Sequence, residues 1–388
     1  MKHGNVRISD LIHPVRNWNP STSVAADFVY VDISSVDAKQ KMISEPKNIP
    51  CSSAPSRARQ LLESTDVLVS TVRPNLNCVA YVSGELEGAI ASTGFCVLRP
   101  NKQALDSRYL FHWVQSKAFI GEMVSKSTGA SYPAVSDSII HASEMPLPPL
   151  EEQRRIAAIL DKASALKKLA FRQLLASEEA ETYLFHNCLG SPFPKLTKWP
   201  VVRLSELGLL ERGVSKHRPR NDPTLINGPY PFIQTGDVAG CHRVIEISKS
   251  SYSEKGFAQS RLWPKGTLCI TIAANIAKTG ILGFEACFPD SVVGFQSDSP
   301  AVTTYVQCWM GFLQKHIEKM APESAQKNIN LEILRELEIP LPDKEALRKF
   351  HDQVLSLRGH WIKQRSRHER LGELNCSLSS QLLSIHNT

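Results

Sequence analysis

Residues 144–160 read EMPLPPLEEQRRIAAIL, and residues 337–355 read LEIPLPDKEALRKFHDQVL. In both, a short extended segment broken by prolines gives way to an amphipathic helix. Proline ends a strand ladder, and it suits the first turn of a helix because its missing N–H is not needed there. Glu151 and Glu152 fall in the opening turn, where carboxylates meet the positive end of the helix dipole. The stripe that follows is Ile156, Ile159, Ala163, Leu166, Ala170 and Leu174, and the helix should stop near Gly190, before the breaker SPFP. The second helix begins at Asp343 and carries Leu347, Phe350, Val354, Leu357 and Trp361. After polar Gln364 and His368 its stripe resumes at Leu371, Leu378, Leu382 and Ile385. Spacings of three and four sustained over several heptads are the pattern of a coiled coil. A helix of roughly 40 residues, about 60 Å long at 1.5 Å per residue, needs a partner for its stripe, and the obvious partner is its twin. If the pair is antiparallel, the domains that precede the two helices lie at opposite ends. The rival arrangement packs each helix on its own globular unit.

Laid on itself with an offset of about 195, the chain matches along its length in unbroken order. VRISDL at 6–11 answers VRLSEL at 202–207, and DFVYVDISSVD at 27–37 loosely answers YPFIQTGDVAG at 230–240. DVLVST at 66–71 sits over GTLCIT at 266–271, YLFHWVQS at 109–116 over YVQCWMGF at 305–312, and MPLP at 145–148 over IPLP at 339–342. This is a tandem duplication. In each half, short apolar runs bounded by turn residues (VLVSTV, CVAYV, FCVLRP; then LCITIA, GILGF, SVVGF) read as strands. One helix follows in each half, at 106–124 and 302–319, before the proline-rich segment. The fold class is α+β: two tandem domains, two long helices and a pseudo-twofold internal repeat.

A chain of 388 residues exceeds the size at which one core keeps growing, so more than one domain is expected. No charge-free apolar run of about 18 residues occurs, and the opening MKHGNVRISD lacks the apolar stretch of a signal peptide. Nine scattered cysteines, never spaced C-x-x-C, point to reduced, mostly buried thiols in the cytoplasm and away from a disulfide framework or zinc knuckle. The net charge of +7 permits a nucleic-acid partner without demanding one.

With LVSTVRPNLNCVAYV at 68–82, IASTGFCVLRPN at 90–101, STGASYPAVS at 127–136 and PLPPLEEQRRIAAIL at 146–160, the chain resembles the DNA-specificity subunits of type I restriction–modification systems. The second half carries looser forms, YPFIQTGDV at 230–238 and SAQKNINLEILRELEIPLP at 324–342, so the resemblance covers essentially the whole chain. It implies target recognition domains at 1–145 and 195–338, each reading half of a bipartite site in double-stranded DNA. The long helices, within 146–194 and 339–388, would separate the domains as an antiparallel coiled coil and set the spacer. Ile156, Ile159, Leu166, Phe350, Val354, Leu357 and Trp361 would form the coil and the docking surface for two methyltransferase subunits. The family's members do no chemistry themselves. S-adenosylmethionine, ATP and Mg²⁺ belong to the methyltransferase and the restriction/translocase subunits, and no cofactor, metal or membrane is expected for this chain. Two departures stand out: DKEALRKF replaces LEEQRRIA at the second helix start, implying a weaker or altered docking face, and no TKWP equivalent precedes VRISDL, implying a slightly short first domain or a start codon chosen downstream.

Phosphate contacts position a DNA-binding protein, whereas short polar side chains and arginines at base edges choose sequence. KSTGASYP at 126–133 places Lys126, Ser127, Thr128, Ser131 and Tyr132 around a glycine, and its positional partner ESAQKNIN offers Gln326, Lys327 and Asn328. GVSKHRPRND at 213–222 is the densest basic cluster, with Lys216, His217, Arg218 and Arg220 as phosphate ligands. STVRPNLN supplies Arg73 and Asn75, and its counterpart TIAANIAKTG supplies Asn275 and Lys278. Each segment also reads as a solvated turn, which favours the same residue types.

The acidic/Asn-Pro-Pro-aromatic tetrapeptide of an adenine methyltransferase, a G-x-x-x-x-G-K-[ST] loop, a convergent carboxylate cluster and a metal-spaced His/Cys set are all missing from the sequence. The expected function is non-catalytic. The alternatives are a stand-alone enzyme acting on nucleic acid with an unrecognised site, and a specificity subunit of a related type IIB-like system.

Overall fold

The computed structural model describes residues 4–20, 25–129, 131–216, 222–273, 276–320 and 329–384; of 178, 315–320 and 384 it describes the backbone only. The chain divides into two compact units, one of residues 1–172 with 364–388, the other of residues 173–363.

In the first unit, an antiparallel sheet orders Ile12–His13, Phe95–Pro100, Val67–Ser70 and Val79–Tyr81. Successive strand side chains point to opposite faces. Val67, Val69, Cys96 and Leu98 therefore enter one core with the helices Ser107–Trp113 and Lys117–Lys126. Leu68, Ala80, Phe95 and Val97 enter a second core with Val31 and Leu62. Burial on both faces explains why these strands read as unbroken apolar runs. A second sheet orders Lys47–Pro50, Asp27–Val31, Ile90–Ser92 and Ala58–Leu61, its middle pair parallel.

The second unit repeats the plan. Leu209–Arg212, Val292–Gln296, Leu268–Thr271, Thr279–Leu282 and Val244–Ile245 form one sheet. Leu268, Ile270, Val293 and Phe295 face the helical core, while Cys269 and Val292 face the other. Ile226–Phe232 pairs in parallel with Ala286–Cys287, as Asp27–Val31 does with Ile90–Ser92, so the loose match between residues 27–37 and 230–240 marks equivalent strands.

The opening stretch is a clasp made twice. Val6 pairs with Met145 and Val202 with Ile339 in two-stranded antiparallel ladders. Buried Tyr109 donates its hydroxyl to the Pro146 carbonyl at 3.0 Å, and buried Tyr305 donates to the Pro340 carbonyl. The two halves then diverge. Gln153, 1% exposed, accepts from the Asp106 N–H at 2.8 Å and donates to the carbonyls of Ala104 at 3.0 Å and Pro148 at 2.8 Å. Leu347 stands at the corresponding place in the second half and is buried among apolar residues. The departure DKEALRKF thus exchanges a hydrogen-bonded core glutamine for an apolar one.

The helix expected at 106–124 is two helices. Ser116 breaks it, its hydroxyl accepting from the Phe119 N–H at 3.2 Å as an N-cap. Phe312 replaces Ser116 in the second half, where Pro300–Met320 runs unbroken.

The long helices are Leu150–Leu189 and Lys344–Ser384. Gly190, at φ 84°, closes the first in the left-handed conformation that glycine adopts freely. In the first unit, Leu383 shares a core with Ile156 and Leu160, and His368 approaches the Lys167 carbonyl at 3.3 Å. In the second, Phe185 meets Phe350 edge-on and Cys188 bonds Gln353 at 3.0 Å, while Arg358 reaches Glu181. Residue numbers rise on one helix as they fall on the other, so within each unit the helices run antiparallel. The buried face differs from the expected stripe. Ile156, Ala157, Leu160, Ala163 and Ala170 are buried; Ile159 and Leu357 are half-buried, and Leu166 is 47% exposed. Phe350 and Val354 are fully buried, as expected. Trp361 sets its ring 4.4 Å from that of His242, in the globular part of the unit. Each helix segment is covered on two sides, by a domain core and by its neighbour, and the broader buried face is rotated from a simple two-helix seam.

A charged node joins domain to helix in the first unit. Asp161 accepts from Arg108 Nε at 3.0 Å and pairs with His112 Nε2 at 2.7 Å. Burial alone would raise the Asp161 carboxyl, but the hydrogen bonds and charges of His112 and Arg108 outweigh it and lower the pKa from 3.8 to about 2. A depressed carboxyl stabilises the fold above its unfolded pKa and ceases to do so as pH falls through the folded one. The first unit should therefore lose stability between about pH 4 and pH 2 more steeply than the Asp161→Asn variant, as read by acid titration of hydrogen exchange in residues 104–166. In the same segment, Gln153→Leu strands the Asp106 N–H and the Ala104 and Pro148 carbonyls. It should destabilise the unit by about 2 kcal/mol, seen as faster exchange there at neutral pH.

Candidate nucleic-acid interface

In the first unit two sequence-distant loops close on each other. Thr128 and Ala134 exchange backbone hydrogen bonds at 2.9 Å each, and the Arg73 N–H donates to the Pro133 carbonyl at 2.7 Å. The Val135 N–H donates to Thr71 O at 2.9 Å. Gly129, at φ 98°, is required for this closure, because a Cβ there would lie 2.8 Å from the Tyr132 carbonyl oxygen. Arg73 and Asn77 are both left-handed, at φ 50° and 49°, and flank the short helical turn Pro74–Leu76. Such a conformation is uncommon outside glycine. Here the backbone bond to Pro133 holds Arg73, and its guanidinium lies 4.6 Å from the centre of the Tyr132 ring. Tyr132 is 69% exposed, and Arg73, Asn75, Thr128 and Ser131 are exposed beside it. A cation, an amide, two hydroxyls and an aromatic face therefore share one surface, a set suited to phosphate and base-edge contact.

Other predicted residues have local roles as well. Lys126 pairs with Glu122 at 2.6 Å on its own helix, an exposed contact that competes weakly with a phosphate. The Ser127 hydroxyl donates to the Val124 carbonyl at 2.7 Å and finishes that helix. Sequence reasoning missed Lys41, whose ammonium donates to the Asn77 carbonyl and braces the Pro74–Leu76 turn from beneath. Burial, reinforced by the charge of Lys167, pushes the Lys41 amine down to about 8. The basic run around 39–41 was the only signal, and nothing in the sequence linked it to residue 77.

In the second unit Lys216 is exposed, with its N–H donating to the Gln259 side chain. Lys278 is half-buried at the end of the equivalent central hairpin, its N–H donating to Thr271 Oγ1 at 3.1 Å and its carbonyl accepting from the Thr271 N–H at 3.0 Å. These two lie in different loops. His217, Arg218, Arg220, Asn275, Gln326, Lys327 and Asn328 lie outside the described residues. Among the described residues, no group of three or more His, Cys, Asp or Glu could hold a metal ion, and no helix is long and apolar enough to cross a membrane.

Residues 59–174 and 197–355 match the family model for the type I restriction modification DNA specificity domain. The chain belongs to that family. It is 19% identical over 409 residues to the HindI specificity subunit of Haemophilus influenzae, covering 85% of this chain and 88% of that protein. It is 23% identical over 301 residues to the putative MjaX specificity subunit of Methanocaldococcus jannaschii, covering 72% and 68% respectively. A chain from a structural study of complex assembly and conformational transition in a type I R-M system superposes with a TM-score of 0.61 at 26% identity, over 98% of this chain and 97% of that one. This chain is a specificity subunit, the component of a type I system that recognises DNA sequence. Specificity subunits are non-catalytic in such systems.

Arg73→Ala should weaken DNA binding about tenfold and relax preference at one or two positions of the target. Lys216→Ala should weaken all sequences alike and flatten the salt dependence by about one unit, as for one lost phosphate contact. Fluorescence anisotropy over a salt series checks both, and an unchanged slope in Lys216→Ala would put that loop away from DNA.

Proposed function

We propose that this specificity subunit reads a bipartite DNA target with recognition domains at residues 1–145 and 195–338. The long helices form an antiparallel coiled coil that holds the two domains at the spacing of the half-sites, and the duplicated halves are related by a pseudo-twofold axis. The observation that carries the reading is that both long helices contribute to each unit. Leu383 joins the core of Ile156 and Leu160, and Arg358 reaches Glu181. A recognition domain fastened to both helices cannot shift along one of them without shearing against the other.

Apolar side chains on the same helices support the docking of methyltransferase subunits. Leu166, Leu169 and Leu374 in the first unit, and Leu175, Tyr183, Leu355 and Ile362 in the second, are exposed. Apolar residues recurring on helix faces are the material of a protein interface. S-adenosylmethionine would be bound by those partners, and ATP with Mg²⁺ by the restriction/translocase subunits that join through them. This chain supplies the address.

The test is to produce the chain with its methyltransferase subunits and to map methylated adenines across a genome. One motif should emerge, in two specified parts separated by a fixed unspecified spacer. A contiguous motif, or methylation by this chain without partners, would overturn the reading.

A further inference from the structure

In the second unit one carboxylate gathers three elements. Glu181, on the central helix, is 7% exposed. Its Oε1 accepts from Arg358 of the C-terminal helix, Nη2 at 2.5 Å and Nε at 3.2 Å, and from the Cys308 thiol at 3.1 Å. Its Oε2 accepts from Arg243 Nε at 2.8 Å. Arg243 belongs to the recognition domain and is held at φ 69°, in the left-handed region that long side chains rarely adopt. Its carbonyl accepts from the Gln307 side chain at 2.6 Å, and the neighbouring His242 packs on Trp361. The loop is thus pinned through its side chain, its backbone and its neighbour.

The first half also sets a carboxylate of the central helix against its domain, there on the stretch that follows the domain and with partners from the domain. In the matched segments YLFHW and YVQCW, His112 stands where Cys308 does, and it too meets a carboxylate of the central helix, Asp161 at 2.7 Å. A buried ion pair adds little stability over a well-packed apolar contact. Its distinguishing property is direction, since charge-assisted hydrogen bonds fix an angle where apolar surfaces can slide.

We propose that Glu181 is a positioning residue for spacer recognition. By holding partly exposed Arg243 and largely buried Arg358 on one buried carboxylate, it fixes the angle at which the second recognition domain meets the helix pair, and with it the half-site separation the subunit accepts. This rests on the bipartite reading above.

The test uses the complex assembled with methyltransferase subunits. Methylation is measured on DNA carrying both half-sites at the native spacer and at spacers one base pair shorter and longer. In Glu181→Gln and in Arg243→Ala, the preference for the native spacer should fall about tenfold, the scale of one mismatched base pair. Base preference within each half-site should stay as in the wild type. Arg243→Ala leaves Glu181 facing Arg358, so it decides the matter should Glu181→Gln fail to fold. An unchanged spacer preference in Arg243→Ala, or an equal loss of activity on every spacer, would overturn the inference. A wild-type complex with no fixed spacer would instead overturn the bipartite reading itself, so the two failures are distinguishable.

Discussion

A forty-residue helix with an apolar stripe is not stable in water by itself, and each half of this chain ends in one. The structure meets that constraint by letting the core of a recognition domain run on into the helices. Ile156, Ala157 and Leu160 belong to the same core as Val67, Tyr109 and Met145, and Leu383 of the other helix completes it. In the second unit Leu347, Phe350 and Val354 share a core with Ile270 and Tyr305, completed by Phe185 and Leu189. Neither helix segment is an appendage. Domain and helix form one cooperative body in each unit, which makes the orientation of a recognition domain on its helices a packed, stiff quantity.

The clasp at the domain–helix boundary shows which parts of the duplication are constrained. The tyrosine hydroxyl on a proline carbonyl recurs at Tyr109 and Tyr305, because a proline-ended strand leaves a buried acceptor that needs a donor. Gln153 and Leu347 solve the same position in opposite ways. A glutamine there must satisfy all its partners to be tolerated, whereas leucine needs only volume. Both are self-consistent, and neither side chain would fit the other's surroundings without repacking.

Much of this was legible beforehand because it is local. The paired proline-to-helix boundaries, the Gly190 stop and the strands buried on both faces follow from patterns a few residues long. Even the weak match of residues 27–37 with 230–240 proved to mark equivalent strands. What escaped the sequence depends on distant contacts. Ser116 splits a helix because its hydroxyl wins as a cap, a choice the apolar pattern does not reveal. The buried face includes Leu160 where Leu166 was expected, and Trp361 turns to His242, because a helix covered on two sides has more than one apolar direction. Arg73 and Tyr132 were each singled out, but their meeting across some sixty residues, and the brace from Lys41 beneath, are properties of the fold alone.

The division between scaffold and loop bears on how such a subunit can vary. The residues that repeat between halves, Val6 with Val202, Tyr109 with Tyr305 and Trp113 with Trp309, lie in the clasp and the helical core. The loops at the ends of the central hairpins do not repeat. One presents left-handed Arg73, and Asn75 between it and left-handed Asn77, locked to the STGASYP segment; the other turns through Ala277 at φ 60° into Lys278. Base choice depends on donors placed to within fractions of an ångström, and such unlike loops present unlike donors. On the bipartite reading proposed above, a common frame carrying different loops favours two different half-sites over a palindrome. On the same reading, sequence preference would change by loop substitution while the charged contacts of Asp161 and Glu181 keep each domain seated on its helices.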